Sequence, residues 1–228
     1  MAYPQPGVAY PQQQWAGGPS VPVRGRRPAA FILAGLLILF TAPVVALTTP
    51  MITQLSLADF YGEALGRILL CVTGWLVLAG AFALVATGAR PAGRELVSRA
   101  AQVAGAAGLV ALSAALVYVL LGLGVPTAPL FVLQSATLLA VSVTLIRFAL
   151  RCRPVCRRFG VVTGTAAGFF SLPMTMLFSL GAFGVDRYSD AQMVVPYLSW
   201  ILAALFLMLF GFAVAVGRLP VEHPQSAA

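Results

Sequence analysis

Apolar residues fall along this chain in six long runs, at roughly 29–49, 67–88, 101–123, 128–150, 160–182 and 194–217. Short polar stretches separate them. At about 1.5 Å rise per residue, a helix of some 20 residues matches the roughly 30 Å hydrocarbon core of a bilayer. Lipid offers no partner for a backbone amide, so a run that spans it must be helical. The pattern therefore predicts an all-α polytopic membrane protein: six transmembrane helices in a bundle over 29–218. A short C-terminal tail, 219–228, follows.

Residues 1–28 read differently. Pro, Gln and Gly dominate, and AYPQ occurs twice, at Ala2–Gln5 and Ala9–Gln12. Almost nothing there can build a core, so a disordered tail is expected. Its use would be as a tether or as an extended Pro-rich ligand for a partner domain.

Composition agrees with the pattern. Of 228 residues, 60% are hydrophobic and 9% charged, with a mean hydropathy of +0.94. An ordinary soluble domain carries about 25% charged residues. The net charge is +8, and its placement decides what it means. Arg24, Arg26 and Arg27 precede the first run, and Arg90, Arg94 and Arg99 lie between the second and third. Arg147, Arg151, Arg153, Arg157 and Arg158 surround the fourth junction, and Arg218 follows the sixth run. Threading the helices alternately puts these twelve on one side and only Arg67 and Arg187 on the other. Arginine marks the cytoplasmic face, so both termini are expected in the cytoplasm. Asp59, Glu63, Asp186 and Asp190 fall on the opposite side. This basicity serves membrane orientation, and no nucleic-acid partner is expected. All fourteen basic residues are arginine, and lysine and asparagine are missing. That is the codon bias of a GC-rich genome, hence the expectation of a bacterial cell membrane.

The densest cationic stretch is RFALRCRPVCRR, Arg147–Arg158. Arg147 and Arg151 are one turn apart at the end of the fourth helix, where side chains snorkel to the interface. Pro154 ends that helix, and Arg157 and Arg158 pin the next. Each cation near the surface gains about 1 kcal/mol from anionic headgroups. The stretch reads as a topological anchor. Its cysteines, Cys152 and Cys156, have the spacing C-x3-C, whereas redox pairs use C-x2-C and a zinc site needs four ligands. No metal and no cofactor is expected. The one histidine, His223, lies in the C-terminal tail.

Inside the spans, Gly160, Gly164 and Gly168 recur four apart at the start of the fifth run. The third run carries a matching small face at Ala104, Gly108, Ala111 and Ala115. Such faces let helices approach closely, within the chain or with another membrane protein. Thr41-Ala42-Pro43 and Ser171-Leu172-Pro173 each place a hydroxyl before a mid-span proline, which frees a backbone carbonyl. Transporters often build solute sites at helix breaks. Thr41, Pro43, Ser171 and Pro173 are therefore a possible solute site, together with Gln134, whose amide is costly in lipid and must find a partner. The outer loops DFYGE (Asp59–Glu63) and DRYSD (Asp186–Asp190) share D-x-Y-x-[DE], so the first and last helix pairs form a weak repeat.

No general acid, base or nucleophile is placed for catalysis: the chain has no H-E-x-x-H, no P-loop and no Ser–His pair within the spans. No enzyme is expected. In helix count and size the chain resembles the substrate-binding subunits of vitamin uptake transporters, but it carries no matching signature, and no residue role follows. The expected function is a non-catalytic accessory or scaffold subunit whose partners are the bilayer and another membrane protein. The alternative is a small-solute transporter or its binding subunit.

Overall fold

Each apolar run folds as one helix. The computed structural model describes residues 28–50, 64–89, 94–124, 127–152, 158–182 and 190–217. These form α1 (Pro28–Thr48), α2 (Ala64–Gly88), α3 (Arg94–Gly122), α4 (Thr127–Arg151), α5 (Arg158–Ala182) and α6 (Asp190–Val216), with no strand among the described residues. All six are long and apolar enough to cross a membrane, with candidate spans of 20 to 29 residues. This is the build of a multi-pass membrane protein. The N-terminal tail, Arg24, Arg26, Arg27, Arg153, Arg157, Cys156, His223 and nearly all of both acidic loops lie outside the described residues.

The largest departure from the sequence expectation is at the start of α3. The helix begins at Arg94, not near 101. Its first turns, Arg94 to Ala100, are too polar for hydrocarbon but consist mainly of good helix formers. Glu95 in the first turn also complements the helix dipole. Hydropathy marks where the lipid begins, and the helix runs on past that boundary. Proline lies inside α1 at Pro43 and inside α5 at Pro173, as expected, and also inside α6 at Pro196.

The helices form a closed ring. Each packs along its sequence neighbours, and α1 closes against α6. Neighbours run antiparallel: Gly164 faces Ala149 and Gly168 faces Ile146 across α4–α5, while Gly35 faces Gly211 and Ala215 across α1–α6. It follows that the start of α1 and the end of α6 share one end of the bundle with Arg94, Arg99, Arg147, Arg151 and Arg158. Arg67 lies at the other end. Arg151 makes an ion pair with Glu95 at 3.4 Å, tying the end of α4 to the start of α3.

Every helix buries side chains inside the ring, and three aromatic rings from α2, α4 and α6 meet there. Phe82, Phe148 and Phe210 are all but fully buried. Phe148 meets Phe82 edge-on at 5.6 Å and Phe210 edge-on at 6.1 Å, while Phe82 and Phe210 stack at 6.3 Å. All three lie near the C-terminal ends of their helices, so this aromatic plug closes the arginine-rich half of the bundle. The exposed faces are rimmed by Leu36, Leu69, Leu112 and Leu205, as a lipid-facing surface requires.

Candidate functional site

A cavity of about 40 Å³ lies in the middle of the bundle, and every helix contributes to its wall. A water needs roughly 10–15 Å³ by this kind of measure, so the space suits a few waters or one very small molecule. Phe82 of the aromatic plug forms part of the wall, along with Trp75 and Trp200. The wall is almost wholly apolar, and its hydroxyls belong to Ser142 of α4 and Ser171 of α5.

Those two serines make three contacts with two protons. Ser142 Oγ is 2.9 Å from the Leu138 carbonyl, Ser171 Oγ is 2.7 Å from the Gly168 carbonyl, and the two hydroxyls are 2.6 Å apart. Each hydroxyl donates once, so one contact is always without its hydrogen. Oxygen lone pairs are left over at the cavity wall, able to accept from a small donor.

Both tryptophans are fixed by the C-terminal end of α1. Trp200 donates from Nε1 to the Ala46 carbonyl at 2.9 Å. In a continuing helix that carbonyl would accept from residue 50, but residue 50 is proline and has no N–H. Trp200 thus supplies a donor that the helix end lacks. Trp75 donates to Thr49 Oγ1 at 3.0 Å, and Thr49 donates in turn to the Val45 carbonyl at 2.7 Å.

The residues expected to form one solute site are not gathered together. Ser171 lines the cavity. Thr41 is buried and Pro43 half-buried on α1, but their neighbour Ala42 is the one that meets the cavity. Pro173 is half-buried on α5 and does not line it. Gln134 lies elsewhere, in a polar cluster between α3 and α4: Ser113 donates to its Oε1 at 2.7 Å and contacts Thr137 Oγ1 at 3.1 Å. Gln134 is fully buried, and its Nε2 has no hydrogen-bond partner. Ser142, Trp75 and Trp200 complete the cavity without having been singled out.

The orphaned amide yields a prediction. Gln134→Leu removes a buried donor that nothing satisfies, and the single Ser113 proton, shared between Gln134 Oε1 and the Val110 carbonyl at 2.9 Å, then goes wholly to that carbonyl. An unsatisfied buried group costs about 1–3 kcal/mol, so thermal unfolding in detergent should occur at the same temperature or higher. A clear drop would show that Nε2 is partnered.

The small-residue faces divide sharply. Gly164 and Gly168 are closed within the chain: an added Cβ at Gly164 would lie 2.8 Å from Ala149 Cβ and from Phe210, and at Gly168 it would lie 2.9 Å from the Ser142 carbonyl. Gly160 is buried on the same helix, and α5 packs on α4 and α6. Gly35 and Gly211, 176 positions apart and not paired by any expectation above, form an equally close contact between backbones. Ala104 is half-buried against the core. Gly108, with Gly105 beside it and Gly80 on α2, is open: a Cβ there would meet nothing within 4 Å.

The free thiols Cys71 and Cys152 are both buried. Among the described residues no three His, Cys, Asp or Glu side chains converge as a metal site would need. The chain matches no family model, no curated protein and no solved structure.

Proposed function

We propose that this chain is a non-catalytic accessory or scaffold subunit of a bacterial cell membrane, with both termini in the cytoplasm. It packs against another membrane protein, using the α3 face around Gly108. The observation that carries the reading is the division among its glycines. Those at Gly35, Gly164, Gly168 and Gly211 are needed for close packing inside the chain. Gly105 and Gly108 serve no such need, yet they keep a smooth small surface on a membrane helix, the kind of surface that admits a second helix. Buried hydroxyls further support a structural role. Ser135 binds the Thr175 carbonyl at 2.8 Å and Ser179 at 2.6 Å, and Ser113 and Ser142 bridge helices in the same way.

The test is purification of the tagged chain from its native membrane in mild detergent, with mass spectrometry of what accompanies it. A stoichiometric membrane partner is expected, and Gly108→Leu should reduce its recovery at least tenfold without altering the chain's own elution. Gly164→Leu is unsuited to this test, because it would disturb the α4–α5–α6 packing itself. Equal recovery of the partner with Gly108→Leu would rule out this face.

A second reading rests on the central cavity. A small-solute transporter or binding subunit would hold its solute against Ser142 and Ser171. It predicts a solute-dependent rise in melting temperature that Ser171→Ala abolishes. A chain that purifies alone with a retained small molecule would favour it.

A further inference from the structure

The arginine-rich end of α3 and α4 carries more charge than the chain itself can use. Glu95 is the one acidic residue among the described residues at that end, and it is taken by Arg151 at 3.4 Å. Arg94 and Arg147 are exposed, with no ion pair or hydrogen bond among the described residues, and Arg99 has only Gln102, at 3.4 Å. Two contacts set the register of the antiparallel pair: Glu95 with Arg151, and Ser113 with Gln134. One turn further into the bilayer from Glu95–Arg151, this register brings Arg99 of α3 level with Arg147 of α4.

The surface beyond these arginines is apolar. Leu139 and Val132 on α4, further into the span than Arg147, are exposed, as is Leu150, which lies between Arg147 and Arg151. Basic groups thus stand at the edge of a lipid-facing surface, at the depth where an acyl chain gives way to its phosphate.

We infer that the inner ends of α3 and α4 form a binding site for one anionic phospholipid, its phosphate held by Arg99 and Arg147 and its acyl chains lying along Leu139 and Val132 of α4. Charge complementarity names the occupant. Among the described residues the two guanidiniums are cations without a carboxylate partner, and a guanidinium binds phosphate oxygens through paired N–H donors. Depth excludes a soluble acidic protein, which would have to reach Arg147 a full turn inside the helix end, among lipid-facing leucines. Arg151, neutralised by Glu95, positions the pair of helices and takes no direct part.

Native mass spectrometry of the delipidated full chain tests this, with phosphatidylglycerol and phosphatidylcholine added separately at equal concentration. The wild type should retain one phosphatidylglycerol at least fivefold more often than phosphatidylcholine. Arg99→Gln with Arg147→Gln should lower phosphatidylglycerol retention roughly tenfold or more, to the phosphatidylcholine level. Arg67→Gln, at the opposite end, should leave it unchanged. Unchanged gel-filtration elution shows that the variants are folded. Three results would each overturn the site: equal retention in the double variant, an equal loss with Arg67→Gln, or full displacement by soluble glycerol phosphate at the lipid's concentration. The second would mean a diffuse effect of net charge, and the third a free phosphoester as ligand.

Discussion

Gly211→Leu will leave the bundle unable to close. A Cβ at residue 211 would lie 2.7 Å from the Leu39 amide nitrogen and 2.8 Å from the Gly35 carbonyl oxygen. Both obstacles are backbone, so no rotamer change relieves the overlap, and α1 must move bodily away from α6. Overpacking of a tight core costs about 1–3 kcal/mol, occasionally more, and backbone obstruction belongs at the upper end. Separating the helices would also break the bond from Trp200 to the Ala46 carbonyl. In detergent, gel filtration of a fluorescently tagged Gly211→Leu chain should lose its single symmetric peak. Gly105→Leu, where an added Cβ meets nothing within 4 Å, should keep it. A symmetric peak from both would mean that the α1–α6 contact does not hold the ring.

Phe148→Ala should be the most damaging single truncation. The ring of Phe148 is fully buried and lies edge-on to both Phe82 and Phe210. In water-soluble cores such a truncation costs about 3–5 kcal/mol. In a bilayer the water-transfer part shrinks, because the separated helices are also in an apolar medium. The lost dispersion contacts and the hollow remain, so a cost of about 2 kcal/mol or more is expected. The new hollow would also adjoin the central cavity through Phe82, which lines it. Thermal melting in detergent should therefore show a large fall for Phe148→Ala and almost none for Phe159→Ala, whose ring is half exposed. Similar melting of the two would mean that the aromatic plug contributes little.

The six helices were legible because the bilayer leaves a long apolar run no other structure. Their ends were less so: at α3, Arg94 to Ala100 look like a loop on hydropathy yet complete two turns of helix. The mutual placement of the helices was mostly hidden. Gly160, Gly164 and Gly168 advertise a close contact by their spacing, but the spacing does not say with which helix, and the structure gives them α4 and α6. Gly35 has no small residue four positions on, so the trace of its contact lies on α6 alone, where Gly211 and Ala215 are four apart and both meet it. The aromatic plug draws three rings from fourteen phenylalanines, and only the ring closure selects them. Of the polar residues, Ser171 could be picked out by the proline beside it. Ser142 and Trp200 could not, because their roles depend on what α5 and α1 place opposite them.

The closure of α1 on α6 has a consequence for how the protein is made. Trp200 and Ala46 are 154 residues apart, and α6 is the last of the six helices to leave the ribosome. Until it arrives, α1 waits in the membrane with one flank open, its glycine notch at residue 35 filled by lipid and the Ala46 carbonyl without Trp200. Assembly therefore cannot be completed helix by helix. A nascent chain stalled before α6 is a five-helix arc with an unsealed seam, and that seam distinguishes unfinished molecules from finished ones for any protease that surveys the bilayer.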